Sequence, residues 1–245
     1  MPLIRPADHL IVAADFKPEP GHGRESVRSQ VLQLADDLSG TGIYLKVNSA
    51  LRACGYELIR EINERGLRSF ADLKLNDIPE TLVTDGTLLR ETSPNLLTVM
   101  CSSGVKAMKA LKDALPRTEI LGVTVLTSLS DEETRAIFSC STEEAVSLLA
   151  ELAREAGING LISSPKEVAV LREKFGARFT LNTPAIRPLW AIIKGDDQNS
   201  DRVMTPYKAI KAGADRIVIG RPIILADNRY DAVMRTLDEI ASALS

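Results

Sequence analysis

Acidic and basic side chains alternate at short spacing in one part of the chain. Asp72, Lys74 and Asp77 lie in or just after the apolar run at residues 69–75. Lys46 and Asp15 stand in or just after two other apolar runs, at residues 43–47 and 10–14. A lysine ammonium among carboxylates suits a reaction that creates negative charge on carbon, because it can stabilise a developing carbanion and then deliver a proton to it.

The same charges also have a purely structural interpretation. A single charged pair in a strand is more often a structural ion pair than a catalytic one. Several charged groups at successive strand ends favour a site, because charges that only decorate a surface do not concentrate there. Side chains two apart on a strand share a face, so regular alternation predicts that Asp72 and Lys74 point to the opposite face from Leu73 and Leu75.

Histidine is rare in this chain, and its rarity argues against several chemistries. His9 and His22 are the only two histidines, and both lie near the N-terminus. The sequence contains no HExxH, CxxC or GxSxG motif. Ser-His-Asp hydrolysis and zinc sites built from histidine and cysteine are therefore disfavoured. Acid–base chemistry must come from Lys, Asp, Glu or Tyr.

Short apolar runs alternate with segments of helical periodicity, which is typical of repeated βα units. Strands are predicted at residues 10–14, 43–47, 69–75, 96–101, 120–126, 160–163, 178–182 and 216–219. Helices are predicted between them, at residues 24–38, 50–64, 142–156 and 165–175 among others. Eight such units in 245 residues predict an α/β fold, a single-domain (β/α)8 TIM barrel over residues 1–245. A doubly wound sheet is the alternative, but its GxGxxG fingerprint is absent after the first strand.

One connection, residues 184–202, is long and contains the polar run GDDQNSD. Loops of this length without regular structure are usually functional or disordered. In a barrel this loop would follow the seventh strand at the carboxyl face, where phosphate-binding loops are common.

Composition predicts a cytoplasmic protein that binds neither nucleic acid nor membranes. A net charge of −3 and a pI near 5.6 argue against affinity for polyanions. No apolar run approaches the ~18 residues of a membrane span, and the start of the chain lacks the apolar core of a secretory signal. Three widely spaced cysteines fit reduced thiols better than a disulfide framework.

The run DLKLNDIPET at residues 72–81 resembles the DxKxxDIPxT signature of the orotidine 5′-monophosphate decarboxylase family, which is highly specific at this length. Similarity continues in the segments VAAD (12–15), LKV (45–47), VLTS (125–128), TPAIRP (183–188), GDDQ (195–198) and GADRIVIGRPI (213–223). The resemblance implies decarboxylation of orotidine 5′-monophosphate to uridine 5′-monophosphate, the last step of de novo pyrimidine nucleotide synthesis. It also implies that no cofactor or metal is used and that the protein is a homodimer with shared active sites.

The resemblance assigns a role to each matching residue. The catalytic array would consist of Lys46, Asp72, Lys74 and Asp77, with Lys74 as the proton donor to C6 of the pyrimidine. Asp77, Ile78 and Thr81 would reach into the neighbouring subunit's site. The other substrate-binding residues would be Asp15 and Lys46 for the ribose, Thr127 for the pyrimidine, and Arg187, Gln198, Gly220 and Arg221 for the phosphate.

Four residues depart from the pattern that this resemblance implies. Ala185 stands where the family usually has glycine, so the backbone there must avoid a positive φ or tolerate strain. Met100-Cys101 replaces a common His-Ala pair, and Trp190 is an unusual neighbour for the phosphate loop.

Two other functions stay open at this point. Metal-dependent relatives on the same barrel, the 3-keto-gulonate 6-phosphate decarboxylases and hexulose 6-phosphate synthases, resemble the DxKxxD segment but use Mg²⁺. They have a glutamate where Lys46 stands, and because magnesium prefers carboxylate ligands, a cation there argues against them. A non-catalytic nucleotide-binding module is the third possibility. It would have lost part of the charged array, and this chain has lost none of it.

Overall fold

The computed structural model describes residues 4–192 and 204–245. Eight parallel strands close into a barrel in sequence order, with the last strand paired to the first. They are β1 (Leu10–Ala13), β2 (Tyr44–Val47), β3 (Arg68–Leu75), β4 (Leu96–Met100), β5 (Glu119–Val123), β6 (Gly160–Ile162), β7 (Thr180–Thr183) and β8 (Arg216–Ile219). The predicted (β/α)8 TIM barrel is confirmed.

Helices surround the barrel and connect its strands. They are α1 (Gly23–Asp37), α2 (Ser49–Cys54), α3 (Glu57–Glu64), α4 (Pro79–Arg90), α5 (Val105–Ala114), α6 (Asp131–Phe138), α7 (Thr142–Glu155), α8 (Val168–Phe175), α9 (Pro206–Lys211), α10 (Arg221–Ile224) and α11 (Arg229–Leu244). Short 3-10 helices occur at Pro6–His9, Cys101–Ser103, Gly176–Arg178 and Leu189–Ala191. No helix in the described ranges is both long and apolar enough to cross a membrane.

Several predicted boundaries differ from the structure by a few residues, and two of the differences have a clear physical reason. The single helix predicted at residues 50–64 is two helices, because Gly55 has a φ of +86° and ends α2. The strand predicted at residues 120–126 ends at Val123. Beyond that point Val125 and Leu126 line a cavity instead of continuing the strand, so their apolar character reflects the cavity wall.

Apolar side chains form a separate core on each face of the sheet. The larger core fills the space between the barrel and its helices. The smaller core lies inside the barrel and includes Ile11, Phe70, Leu96, Leu121 and Val218. Lys46 and Asp72 follow two residues after inward-facing members of this smaller core, so the strand period carries their charged groups to the carboxyl end of the lumen.

A different polar network closes the amino end of the barrel. Arg216, only 1% exposed, pairs with Glu119 at 2.8 Å, and its guanidinium lies 5.0 Å from the centre of the Tyr44 ring. Arg68 pairs with Asp8 at 2.9 Å, which attaches the 3-10 helix Pro6–His9 to this amino end, the floor of the barrel. These ion pairs are structural, because the active sites of such barrels form at the other end.

Candidate active site

A cavity of about 520 Å³ opens at the carboxyl ends of the strands. Its β1–β3 side carries the charged residues Asp15, Lys46, Asp72 and Lys74. Its β7–β8 side carries Arg187, Gly220 and Arg221. Apolar side chains form the wall between these sides, among them Phe70, Val123, Ile162 and Val218. The cavity can thus hold a ligand with an anionic group at one end and a weakly polar body.

Charged groups of alternating sign form a continuous chain along one wall. The Lys46 ammonium lies 3.1 Å from Oδ1 of Asp15 and 3.2 Å from Oδ2 of Asp72. The Lys74 ammonium lies 2.7 Å from Oδ1 of the same Asp72. Asp72 and Lys46 are buried, whereas Asp15 is exposed at the rim. The structure therefore brings together four of the residues that the sequence singled out.

Asp72 is the carboxylate that joins the two lysines. Burial by itself raises the pKa of Asp72, but the charges of Lys46 and Lys74 outweigh it and hold this pKa below the ordinary value of 3.8. The carboxyl is therefore ionised at neutral pH. A buried ion pair of this kind adds little net stability, but the loss of one partner leaves an uncompensated charge and costs about 3–5 kcal/mol.

Strand β3 is irregular where it carries the two central charges. Between Ala71 and Leu75 it advances four residues while β4 advances from Leu97 to Val99, so β3 contains a bulge. Within the bulge Lys74 adopts a left-handed backbone conformation with a φ of +49°. Asp72 and Lys74 nevertheless line the cavity, while Leu73 and Leu75 pack in the larger core, so the predicted division of faces along β3 is confirmed and only the bulge was not predicted.

The β7–β8 side of the cavity combines a short helix with the beginning of a long loop. Gly220 precedes α10, and Arg221 is its first residue. Arg187 lies in the loop after β7, and its backbone N–H donates to the carbonyl of Met204 at 3.1 Å, which holds the two ends of the loop together. Gln198 lies outside the described residues.

The loop after β7 begins with a strained residue. Ala185 has a φ of +62° and lines the cavity. Of the two outcomes that the sequence left open for this alanine, the structure has the strained one.

The remaining predicted residues differ in their position. Thr127, after β5, lines the cavity. Asp77, Ile78 and Thr81 are exposed and, within the described part of the chain, lie outside the cavity wall. Asp77 accepts a hydrogen bond from the N–H of Ile78 at 2.8 Å, and Ile78 is 62% exposed. These three residues therefore do not form part of the described cavity wall of their own chain.

Comparison with known proteins identifies the family. The family model described as orotidine 5′-phosphate decarboxylase / HUMPS matches residues 8–235. The chain belongs to this family. Because the family description carries two names, the residues of the site must distinguish between the activities.

Relatives and solved structures agree with the family assignment over nearly the whole chain. An orotidine 5′-phosphate decarboxylase of Saccharophagus degradans is 35% identical over 246 residues, covering 98% of this chain and 96% of the relative. One from Synechocystis sp. is 37% identical over 240 residues, covering 96% and 98%. The crystal structure of orotidine 5′-phosphate decarboxylase from Lactobacillus acidophilus matches with a TM-score of 0.79 and 30% identity, covering 95% of this chain and 99% of that one.

Sequence reasoning missed one polar residue beside the charged array of this family member. Thr98, on β4, is fully buried and forms hydrogen bonds with both Asp72 and Lys74. Threonine is an ordinary strand former, so its type alone gives no functional signal. The available signal was its position as the one polar residue in the otherwise apolar run Leu96–Met100.

Proposed function

We propose that this protein decarboxylates orotidine 5′-monophosphate to uridine 5′-monophosphate and CO2, the last step of de novo pyrimidine nucleotide synthesis. The observation that carries the proposal is the chain Asp15–Lys46–Asp72–Lys74, which puts two ammonium groups on one cavity wall. Relatives named for this activity at 35–37% identity support it.

The size and the lining residues of the cavity suit a pyrimidine nucleotide. The base would lie against the apolar wall formed by residues such as Val123 and Ile162, with Thr127 as a polar contact. The ribose hydroxyls would bind Asp15 and Lys46 at the rim. This orientation would place the reacting carbon of the base beside Lys74.

Lys74 would perform the chemical step. The bond between C6 and the carboxyl carbon breaks, CO2 leaves, and the electron pair stays on C6. The Lys74 ammonium stabilises this carbanion and donates its proton to C6, after which the lysine regains a proton from solvent. Asp72 holds the ammonium in place through its 2.7 Å contact, while Lys46 holds Asp72 from the other side.

The phosphate would bind at the β7–β8 side. The guanidinium of Arg221 forms no ion pair with another described residue, so it is available to an anion. Among the described residues, a Cβ at Gly220 would meet only Ala13, at 3.6 Å, so packing inside the protein does not fill this position. The glycine leaves space for a ligand on the cavity side. Arg187 and Gln198 would complete this subsite from the loop after β7.

A second subunit would complete the site in a homodimer. Asp77, Ile78 and Thr81 are exposed and do not line the described part of their own cavity, and a two-fold axis would bring them to the partner's. A hollow of about 450 Å³ next to Lys74 could receive them. Asn48 lines this hollow, and its buried Oδ1 has no hydrogen-bond partner among the described residues. An acidic Asp77 from the partner would also add a negative charge next to the Lys74 ammonium.

The position of Lys46 favours this reaction over that of the metal-dependent relatives. Its ammonium already lies between Asp15 and Asp72, the two carboxylates that would otherwise ligate a divalent cation. The intact array likewise argues against a non-catalytic nucleotide-binding module.

An absorbance assay with orotidine 5′-monophosphate in EDTA tests the proposal. We expect full turnover in the chelator and no further increase when Mg²⁺ is added. Loss of activity in EDTA that Mg²⁺ restores would favour the metal-dependent class. Tight binding of uridine 5′-monophosphate without any turnover would favour the binding module.

A further inference from the structure

Thr98 connects the two central charges of the site through a single hydroxyl. Its Oγ1 donates to Oδ1 of Asp72 at 3.0 Å and accepts the backbone N–H of Lys74 at 2.9 Å. The same Asp72 oxygen accepts the Lys74 ammonium at 2.7 Å. This one hydroxyl therefore holds the Asp72 carboxylate, which accepts the ammonium, and also the backbone of Lys74, which carries the ammonium.

The β3 bulge makes this hydroxyl necessary. Thr98 is the β4 residue between the two partners that pair on either side of the bulge, Leu97 and Val99. The extra residues of β3 interrupt the backbone hydrogen bonds between β3 and β4. At this point the Lys74 N–H donates to the Thr98 side chain instead. A buried N–H that is left without an acceptor costs about 1–3 kcal/mol.

The left-handed conformation of Lys74 needs such support. Non-glycine residues in this region cost roughly 1–3 kcal/mol and persist only where the surrounding structure over-determines them. Thr98 is fully buried, so its own position is fixed by packing. It does not contribute to the cavity wall among the described residues and therefore acts through Asp72 and Lys74.

We propose that Thr98 is a positioning residue that fixes the position of the Lys74 ammonium in the cavity wall. This inference rests on the proposed function, because it assigns the purpose of the hydroxyl to the carbanion-forming step. Without the hydroxyl, the bulge relaxes and the ammonium moves relative to C6. A misplacement of about 1 Å at a reacting group can lower a rate by about 100-fold.

The test compares Thr98→Val, which keeps the shape and removes the hydroxyl, with Thr98→Ser, which keeps the hydroxyl. We expect Thr98→Val to lower kcat by about 10- to 100-fold while the Kd for uridine 5′-monophosphate changes by less than about threefold. Thr98→Ser should stay within about threefold of the parent kcat. The matched control is Thr236→Val on α11, whose buried hydroxyl donates to the Ala232 carbonyl and which is not among the residues lining the cavity, and it should leave kcat unchanged.

Several results would overturn the inference. They are a kcat of Thr98→Val close to that of the parent, equal losses in kcat and nucleotide affinity, or a Thr98→Ser variant as impaired as Thr98→Val. If Thr98→Val does not fold, Thr98→Ala is measured in its place with the same expectation. If both fail to fold while Thr98→Ser folds, the hydroxyl serves folding and the inference is wrong. A parent protein that does not decarboxylate orotidine 5′-monophosphate would instead refute the proposed function, and the inference with it.

Discussion

The Lys74 ammonium donates a 2.7 Å hydrogen bond to Oδ1 of Asp72 from a residue whose backbone φ is +49°. Ala185, at the start of the loop after β7, has a φ of +62° and lines the same cavity. Strained residues of this kind cluster at sites where ligands bind or react. Each side of the cavity thus contains one residue with a strained backbone.

The strain at Ala185 predicts that Ala185→Gly stabilises the protein. Glycine adopts a positive φ without the clash of a Cβ, so relief of strain should outweigh the extra freedom of the unfolded chain. We expect an increase of up to about 1 kcal/mol in the free energy of unfolding, measured by urea denaturation.

Ala110→Gly is the matched control, because Ala110 lies within α5. It should lower the free energy of unfolding by about 1 kcal/mol, as glycine does in a helix interior. If Ala185→Gly lowered stability as much as this control, the left-handed conformation of Ala185 would not be strained.

Much of the fold and of the charged array could be predicted because both depend on local sequence. Strand periodicity marks the apolar runs, and the spacing of Asp72 from Lys74 is read directly from the chain. The bulge could not be predicted, since it arises from how β3 pairs with β4, two segments that are separated in sequence. The role of Thr98 depends on that same pairing. The break between α2 and α3 was available in principle from Gly55, but helical periodicity continues across it.

The floor of the barrel yields a prediction about pH and stability. Burial raises the pKa of Glu119, but the hydrogen bonds and charge of Arg216 outweigh it and hold this pKa below its ordinary value of 4.5. A carboxyl whose pKa is lowered on folding stabilises the protein above its unfolded pKa, and this stability is lost as the pH falls through the folded pKa. At neutral pH, Glu119→Gln should lower the free energy of unfolding by about 3 kcal/mol, because it leaves the buried Arg216 charge unpaired.

Urea denaturation at several pH values measures this effect. The difference in the free energy of unfolding between the parent and Glu119→Gln should become smaller as the pH falls below 4.5, because only the parent has a carboxylate at this position to protonate. Glu57→Gln removes an exposed pair with Arg60 and should change stability by less than about 1 kcal/mol. A difference at Glu119 that is independent of pH would contradict the assigned role of the ion pair.

Arg221→Ala should weaken the reaction of the nucleotide but not that of the nucleoside. A charge-assisted hydrogen bond contributes about 1.5–3 kcal/mol, so kcat/KM for orotidine 5′-monophosphate should fall by about 10- to 100-fold. The slow reaction of orotidine should barely change, since it has no phosphate. Arg117→Ala, an exposed arginine before β5, is the control. Equal losses on both substrates would make Arg221 a structural residue.

Complementation between two inactive variants tests the shared site. Lys74→Ala and Asp77→Ala should each be nearly inactive as homodimers. After they are unfolded and refolded together, a mixed dimer carries both lesions in one site and neither in the other. Random pairing makes half of the dimers mixed, so about a quarter of all sites should be intact. If mass spectrometry shows mixed dimers but no activity returns, Asp77 acts within its own chain.

The most direct test of the account is the effect of Lys74→Ala on kcat, compared with its effect on the Kd for uridine 5′-monophosphate. The loss of one electrostatic contact to the transition state costs about 3–4 kcal/mol, so kcat should fall by at least about 100- to 1,000-fold while the Kd stays within about threefold. Lys109→Ala, which removes an exposed lysine paired with Asp113, should leave both quantities unchanged. A Lys74→Ala variant whose kcat is within about tenfold of the parent value would contradict the central claim that this ammonium stabilises and protonates the carbanion.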